Sequence, residues 1–154
     1  MAFLWLGLSY LACEKDYHLA LEACSNALLL RRSQWGYTHT LALAALYHVG
    51  ICHLLLGGHV AALKAMEEIL EVKKNEVQVY VTKGCIHHYV HDSAAAICTL
   101  QEALSLERKQ GSKGSLALDN LAYCMAFQNH QNSDKNDDEW RNRMRTYQEM
   151  LSIT

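Results

Sequence analysis

The sequence predicts an all-α fold in which tandem antiparallel helix pairs stack sideways and end in a C-terminal capping helix. Three observations predict it. Proline is absent from the 154 residues, although long loops and tight turns normally use it. Half of the residues (51%) are hydrophobic, which is typical of a chain with a packed core. Three segments also repeat one spacing of small and large apolar residues.

The charge balance argues against a polyanionic partner. The formal net charge is −2 and the pI is about 6.5, so the chain has no broad attraction for nucleic acid or an anionic membrane. Its basic pairs, Arg31–Arg32, Lys73–Lys74 and Arg108–Lys109, each follow an apolar helical run, where cations complement the helix dipole. We therefore expect neither nucleic acid nor a membrane as a partner.

The cysteines and the first residues indicate a reduced, intracellular protein, cytoplasmic or nuclear. The six cysteines lie in apolar helical stretches, and none forms the C-x-x-C pair of a zinc or redox site. No positive charge precedes Lys15, as a secretory signal would require. The apolar run 1–12 is too short to cross a bilayer and predicts a buried helix. No capping residue precedes it, which is typical of a chain that begins partway into a longer array.

The repeated spacing defines three segments. Each contains a small residue followed seven places later by another small or apolar one, in the pairs Ala20/Ala27, Ala62/Ile69 and Ala96/Ala103. Four residues after the first member of each pair lie Cys24, Met66 and Leu100, and twelve before it lie Leu8, Gly50 and Gly84. The small residues predict close approach of two helices, and the larger ones fill the space between pairs. Such pairs cover their apolar faces by stacking on their neighbours.

The second and third segments resemble the tetratricopeptide repeat, W-x₂-L-G-x₂-Y followed by A-x₃-F. One reads Leu46-x-x-Val49-Gly50-x-x-His53, and the next reads Tyr80-x-x-Lys83-Gly84-x-x-His87. They are 34 residues apart, which is the family period, whereas the first and second are 42 apart, with the extra residues in the connection 31–40. The closing proline of the family is missing from every unit. The resemblance implies a short right-handed α-solenoid.

The predicted repeat units of this solenoid cover about residues 1–33, 43–76 and 77–110, with a partial unit over 115–128. Residues 129–136 are a polar loop. The segment 137–152 places Trp140, Met144, Tyr147 and Leu151 on one stripe of an amphipathic helix. That stripe predicts a helix that caps the end of the stack, and docking to a separate partner is the alternative.

The resemblance also implies a function. In this family the first helices line a concave groove that holds a peptide, so we expect a scaffold or adaptor that binds a partner protein. The candidate lining is Tyr10 from the first unit, Tyr47, Ile51 and Leu54 from the second, Val81, Cys85, His88 and Tyr89 from the third, and Tyr123 and Phe127 from the fourth. Tyrosine is favoured in interface hot spots. The alternative is that these side chains are core.

Chaperone-binding members of the family hold a C-terminal carboxylate with lysine and asparagine. The corresponding positions here are Tyr47, Ile51, Val81 and Cys85. We therefore expect the carboxylate clamp to be absent and the ligand to be an apolar or helical segment.

Metal binding or redox sensing is the alternative function. Cys85, His88 and His91 are spaced i, i+3 and i+6, and His87 and His91 are one helical turn apart. Structural zinc takes four such ligands, and the same positions are needed for packing in the repeat. No H-E-x-x-H, G-x-S-x-G, P-loop or G-x-G-x-x-G pattern occurs. We therefore expect no cofactor and no enzymatic activity.

Overall fold

The computed structural model of the chain describes residues 16–111 and, beyond them, residues 117, 120, 121 and 124. Within the continuous part it contains α1 (Tyr17–Trp35), α2 (Thr40–Leu55), α3 (His59–Val72), α4 (Val77–Tyr89) and α5 (Ser93–Lys109). The four separate residues are helical as well, and no strand occurs in the described part of the chain. The all-α prediction is confirmed. The predicted helix over 1–12, the loop 129–136 and the capping helix 137–152 lie outside the described residues.

The chain divides into two compact units, with the boundary between Val79 and Tyr80. In the first unit, α1 packs against α2 and α2 packs against α3. Only residues 36–39 and 56–58 connect these helices, and packed helices joined by such short connections run antiparallel. In the second unit, α4 and α5 meet where Gly84 faces Leu100. None of the described helices has both the length and the apolar content needed to span a membrane.

The second helix of each predicted repeat begins in the same way. The N-cap residues of α1, α3 and α5 are Asp16, Gly58 and Asp92. The carbonyl of each accepts a hydrogen bond from an alanine four residues later, at 3.1, 3.0 and 3.0 Å respectively. Those alanines, and the residues four places further along, are fully buried: Ala20, Ala62, Ala96, Cys24, Met66 and Leu100. The register predicted from the repeated spacing is therefore the register of the core.

The turn between the paired helices also repeats. The N–H of Gly57 donates to Leu54 O at 3.0 Å, and that of Gly58 donates to His53 O at 2.7 Å. Thirty-four residues later, His91 donates to His88 O at 3.0 Å and Asp92 to His87 O at 2.9 Å. Gly57 and His91 are both left-handed, with φ of 80° and 63°. This is the Schellman arrangement, which satisfies the last carbonyls of a helix.

The predicted close approach at the two helical glycines is confirmed. A Cβ added to Gly50 would lie 2.5 Å from Met66 Cε and 3.1 Å from Ala65 Cβ. A Cβ added to Gly84 would lie 2.6 Å from Leu100 Cγ. A Cβ at Gly84 would have to displace the branched carbon of Leu100, whereas one at Gly50 would first meet the flexible end of Met66.

Most of the extra residues between the first two repeats belong to α1, which is longer than the corresponding helix α3. α1 has 19 residues, against 14 in α3, so it continues into the segment that the sequence predicted as a connection. Arg31 is buried at 5% exposure, and its Nη1 donates to Leu41 O at 2.7 Å. Arg32 pairs with Glu68 of α3 and lies 4.6 Å from the centre of the Tyr37 ring. These polar contacts hold the end of α1 against both neighbouring helices.

Candidate partner-binding site

A partly open cavity of about 230 Å³ lies in the first unit. Residues of α2 form one side of it, the end of α3 forms another, and the start of α4 closes it. The lining residues are Thr40, Leu43, Ala44, Tyr47, His48, Ile69, Lys73, Glu76, Gln78 and Val79.

The floor of the cavity is apolar and held by three helices. Leu43 of α2, Ile69 of α3 and Val79 of α4 are exposed by 4%, 2% and 5%. Ala44 beside them is half-buried, which leaves space above the floor. Since each floor residue is also part of the core, the floor is positioned by the packing that stabilises the fold.

The rim of the cavity is polar, and its groups interact with each other. Gln78 Nε2 donates to the hydroxyl oxygen of Tyr47 at 3.3 Å. The Tyr47 ring meets His48 edge-on, with centroids 5.6 Å apart. Lys73 Nζ lies 3.3 Å from Glu76 Oε1 in a half-exposed ion pair. The positive and negative charges at the rim therefore offset each other.

His48 adds no charge to the lining at neutral pH. Burial and, secondly, the nearby positive charge of Arg31 lower the pKa of His48 from its ordinary value of 6.5. The imidazole is therefore neutral at pH 7. Taken together, the ten lining residues carry one positive and one negative charge.

The N-terminus of α2, which borders the cavity, is fixed by local contacts. His39 is the N-cap residue, and its Nδ1 accepts a hydrogen bond from the N–H of Leu41 at 3.2 Å. Trp35 stacks on the His39 ring, with centroids 5.4 Å apart. The carbonyl of Leu41 receives the bond from Arg31. Thr40, the first lining residue, thus begins a helix whose first turn is held on both sides.

Of the three groove residues predicted on α2, Tyr47 lines the cavity. Ile51 and Leu54 follow it by four and seven residues on the same helix and are half-buried, outside the lining. Tyr10, predicted from the first repeat, lies outside the described residues.

The remaining groove candidates belong to the second unit. Val81 is buried at 4% exposure, and Tyr89 at the end of α4 is 66% exposed. Cys85 and His88 are half-buried, and Cys85 Sγ donates to Asn120 Oδ1 at 3.2 Å. Tyr123 and Phe127 lie outside the described part of the chain.

Sequence reasoning missed most of the cavity, although a signal was available. Ala44, Leu43 and Thr40 precede Tyr47 by three, four and seven residues, which places them on the Tyr47 face of a helix. The prediction followed this face only towards the C-terminus, to Ile51 and Leu54. Periodicity identifies a face and does not show where along it another helix begins.

The cysteines differ in burial: Cys24, Cys52 and Cys124 are buried and Cys85 is half-buried, whereas Cys98 is exposed. All five described cysteines are free. A hydrogen bond with Cys24 and burial raise the pKa of Cys52, and that hydrogen bond lowers the pKa of Cys24. Burial raises the pKa of Cys85, and burial with the charge of Cys85 raises that of Cys124 to about 11. Burial thus raises the pKa of Cys52, Cys85 and Cys124, whereas at Cys24 the hydrogen bond with Cys52 outweighs burial.

The described residues contain no group of three His, Cys, Asp or Glu side chains placed to hold a metal ion. Cys85, His88 and His91 do not form one, despite their spacing along the chain. His91 lies in the left-handed turn after α4, and Cys85 bonds to Asn120.

Comparison with known proteins agrees with this architecture. The tetratricopeptide repeat family matches the chain over residues 1–75. A crystal structure of MamA aligns with a TM-score of 0.67 and 14% identity, covering 97% of this chain and 69% of that one. A second MamA structure aligns with a TM-score of 0.65 and 13% identity, covering 99% and 80%. No curated protein matches the sequence. The family match over residues 1–75, the shared fold and the repeated core register together support an all-α solenoid of the tetratricopeptide repeat type.

Proposed function

We propose that this chain is a non-catalytic adaptor that binds a segment of a partner protein at the cavity beside Tyr47. Tetratricopeptide repeats are protein-interaction scaffolds, and residues 1–75 of this chain match that family. The observation that carries the proposal is the cavity, whose apolar floor lies beside a half-exposed tyrosine. Tyrosine next to a pre-formed apolar depression is typical of an interaction hot spot.

The proposed surface continues from the cavity along α2. Ile51 and Leu54 follow Tyr47 at helical spacing and are half-buried, so an apolar or helical segment that reaches the cavity can also contact them. In the second unit, Cys85, His88 and Tyr89 remain separate candidates for partner contact, and Tyr89 is the most exposed of them. Val81 is not included, because its side chain is buried.

The cavity can be tested with peptides selected from a random library displayed against the purified full chain. Ala44→Leu fills the cavity from α2, and Tyr47→Ala removes its aromatic wall. Ala61→Leu is the matched control, since Ala61 is exposed on α3 and lies outside the lining. Circular dichroism establishes that each variant is folded.

We expect Ala44→Leu and Tyr47→Ala to weaken peptide binding about tenfold or more, equivalent to about 1.4 kcal/mol. Ala61→Leu should leave the Kd unchanged. If no selected peptide loses affinity through Ala44→Leu, the proposed binding site is wrong. Tyr89→Ala, measured with the same peptides, tests the second unit separately.

A further inference from the structure

We propose that the cavity is a pocket for one uncharged side chain of the partner, aromatic or branched aliphatic, and that it excludes carboxylate and ammonium groups. This inference rests on the proposed function, because the side chain belongs to the bound polypeptide. It adds the chemical class and the number of side chains that the site admits.

The volume of the cavity suits a single side chain. The cavity has a volume of about 230 Å³. Pockets that enclose drug-sized ligands or cofactors usually have volumes of about 300–1,000 Å³. The space is therefore below that range, and a whole helix cannot enter it.

The floor excludes charge. Leu43, Ile69 and Val79 supply only apolar side-chain atoms, so a charged group that reached them would lose its hydration without gaining a partner. Burying an unpaired charge costs several kcal/mol. Burying an apolar side chain of similar size is favourable, at roughly 25 cal/mol per Å² of apolar surface.

The rim gives a charged ligand no net attraction. Lys73 would attract a carboxylate, but Glu76 lies 3.3 Å from its ammonium group and would repel the same ligand. The reverse holds for an ammonium ligand. His48 is neutral at pH 7, because burial and Arg31 lower its pKa. The charge pattern is therefore complementary to a neutral side chain.

One wall favours an aromatic occupant in particular. The Tyr47 ring lines the cavity, and its hydroxyl oxygen already accepts from Gln78 at the rim. Its ring is a surface against which a second ring can stack or pack edge-on, which contributes about 0.5–1.5 kcal/mol beyond area burial.

Capped amino acids test the proposed preference of the cavity for an uncharged side chain, and they require no known partner. N-acetyl amides of phenylalanine, leucine, glutamate and lysine share one backbone and differ only in the side chain. Each is titrated into the full chain while the methyl resonances of Leu43, Ile69 and Val79 are followed by NMR. Ala44→Leu and the control Ala61→Leu are titrated in parallel.

We expect the phenylalanine and leucine amides to shift these methyl resonances saturably. Their Kd values should be at least tenfold lower than those of the glutamate and lysine amides. Ala44→Leu should abolish the shifts, and Ala61→Leu should preserve them. The inference is overturned if a charged amide binds as tightly as the phenylalanine amide, or if neither apolar amide shifts the three methyls.

The two proposals fail in different ways. If library peptides depend on Ala44 but alanine scanning finds a charged anchor residue in them, the pocket chemistry is wrong and the adaptor site stands. If the apolar amides bind at the three methyls but no peptide responds to Ala44→Leu, the adaptor site is wrong.

Discussion

Arg31 connects the lengthened end of α1 to the cavity. Its guanidinium is buried, and the hydrogen bond to Leu41 O fixes the first turn of α2, from which Thr40 and Leu43 line the cavity. Its positive charge also contributes to the lowered pKa of His48. The sequence indicated only a cation near a helix end, because burial of a long side chain depends on the neighbouring helices.

The state of His48 makes folding pH-dependent. Its pKa is lowered in the folded chain, so the unfolded chain binds more protons between the folded value and about 6.5. The stability contributed by the neutral imidazole is fully present above about pH 6.5 and is lost as the pH falls through the folded pKa.

We expect His48→Gln to reduce the acid sensitivity of the chain. Urea unfolding of both proteins between pH 8 and pH 5 gives the difference in free energy of unfolding at each pH. The value at pH 8 measures the packing effect of the substitution alone. The difference should then shift in favour of the variant as the pH falls below 6.5, and a constant difference would contradict this assignment.

The two helical glycines should differ in their tolerance of alanine. At Gly84 the added Cβ meets the branched carbon of Leu100, 2.6 Å from Cγ and 2.9 Å from Cδ2, so the whole side chain must move. At Gly50 the shortest contact is the terminal methyl of Met66, which adapts more easily.

Overpacking typically costs about 1–3 kcal/mol, and alanine recovers up to about 1 kcal/mol of helix propensity. We therefore expect Gly84→Ala to be less stable than Gly50→Ala by about 1 kcal/mol, measured by urea denaturation. Equal stabilities, or the reverse order, would show that Leu100 moves as easily as Met66.

The turns between paired helices use different residues for one backbone shape. Gly57 has φ of 80°, and a Cβ added to it would meet nothing within 4 Å. His91 has φ of 63° and makes the corresponding hydrogen bond. A side chain in the left-handed region costs roughly 1–2 kcal/mol, so the turn at His91 is strained where the turn at Gly57 is not.

Exchanging the residue type should move stability in opposite directions. We expect Gly57→Ala to lower the free energy of unfolding by about 1 kcal/mol, entirely through the backbone. His91→Gly should raise it by about 0.5 kcal/mol, since relief of strain exceeds the loss of the imidazole contacts. Thermal and urea unfolding measure both, and a stabilising Gly57→Ala would be incompatible with the left-handed turn.

The sequence predicts more of the helices than of the cavity. The spacing of Ala20, Ala62 and Ala96 located the helix starts and the buried face. Small residues at a regular spacing along the chain indicate which face of a helix packs closely against its neighbour. The length of α1 could not be predicted, since it depends on contacts of Arg31 and Arg32 with α2 and α3. The cavity likewise depends on contacts between helices, such as the hydrogen bond from Gln78 to Tyr47, whose positions are 31 apart.

Repeat architecture makes stability local, because each helix pair is stabilised mainly by its immediate neighbours. A strained contact should therefore raise local opening near it before it affects distant repeats. Gly50 and Gly84 occupy equivalent positions in successive repeats, one in each compact unit, and so form a matched pair of probes.

We expect Gly84→Ala to accelerate native-state hydrogen exchange in peptides from α4 and α5, with little change in α1. Gly50→Ala should accelerate exchange in α2 and α3 and leave α5 nearly unchanged. Exchange detected by mass spectrometry under native conditions resolves these segments, and each variant is the control for the other. Uniform acceleration along the chain in both variants would mean that the repeats unfold as a single cooperative unit, and nearest-neighbour stabilisation would then not describe this protein.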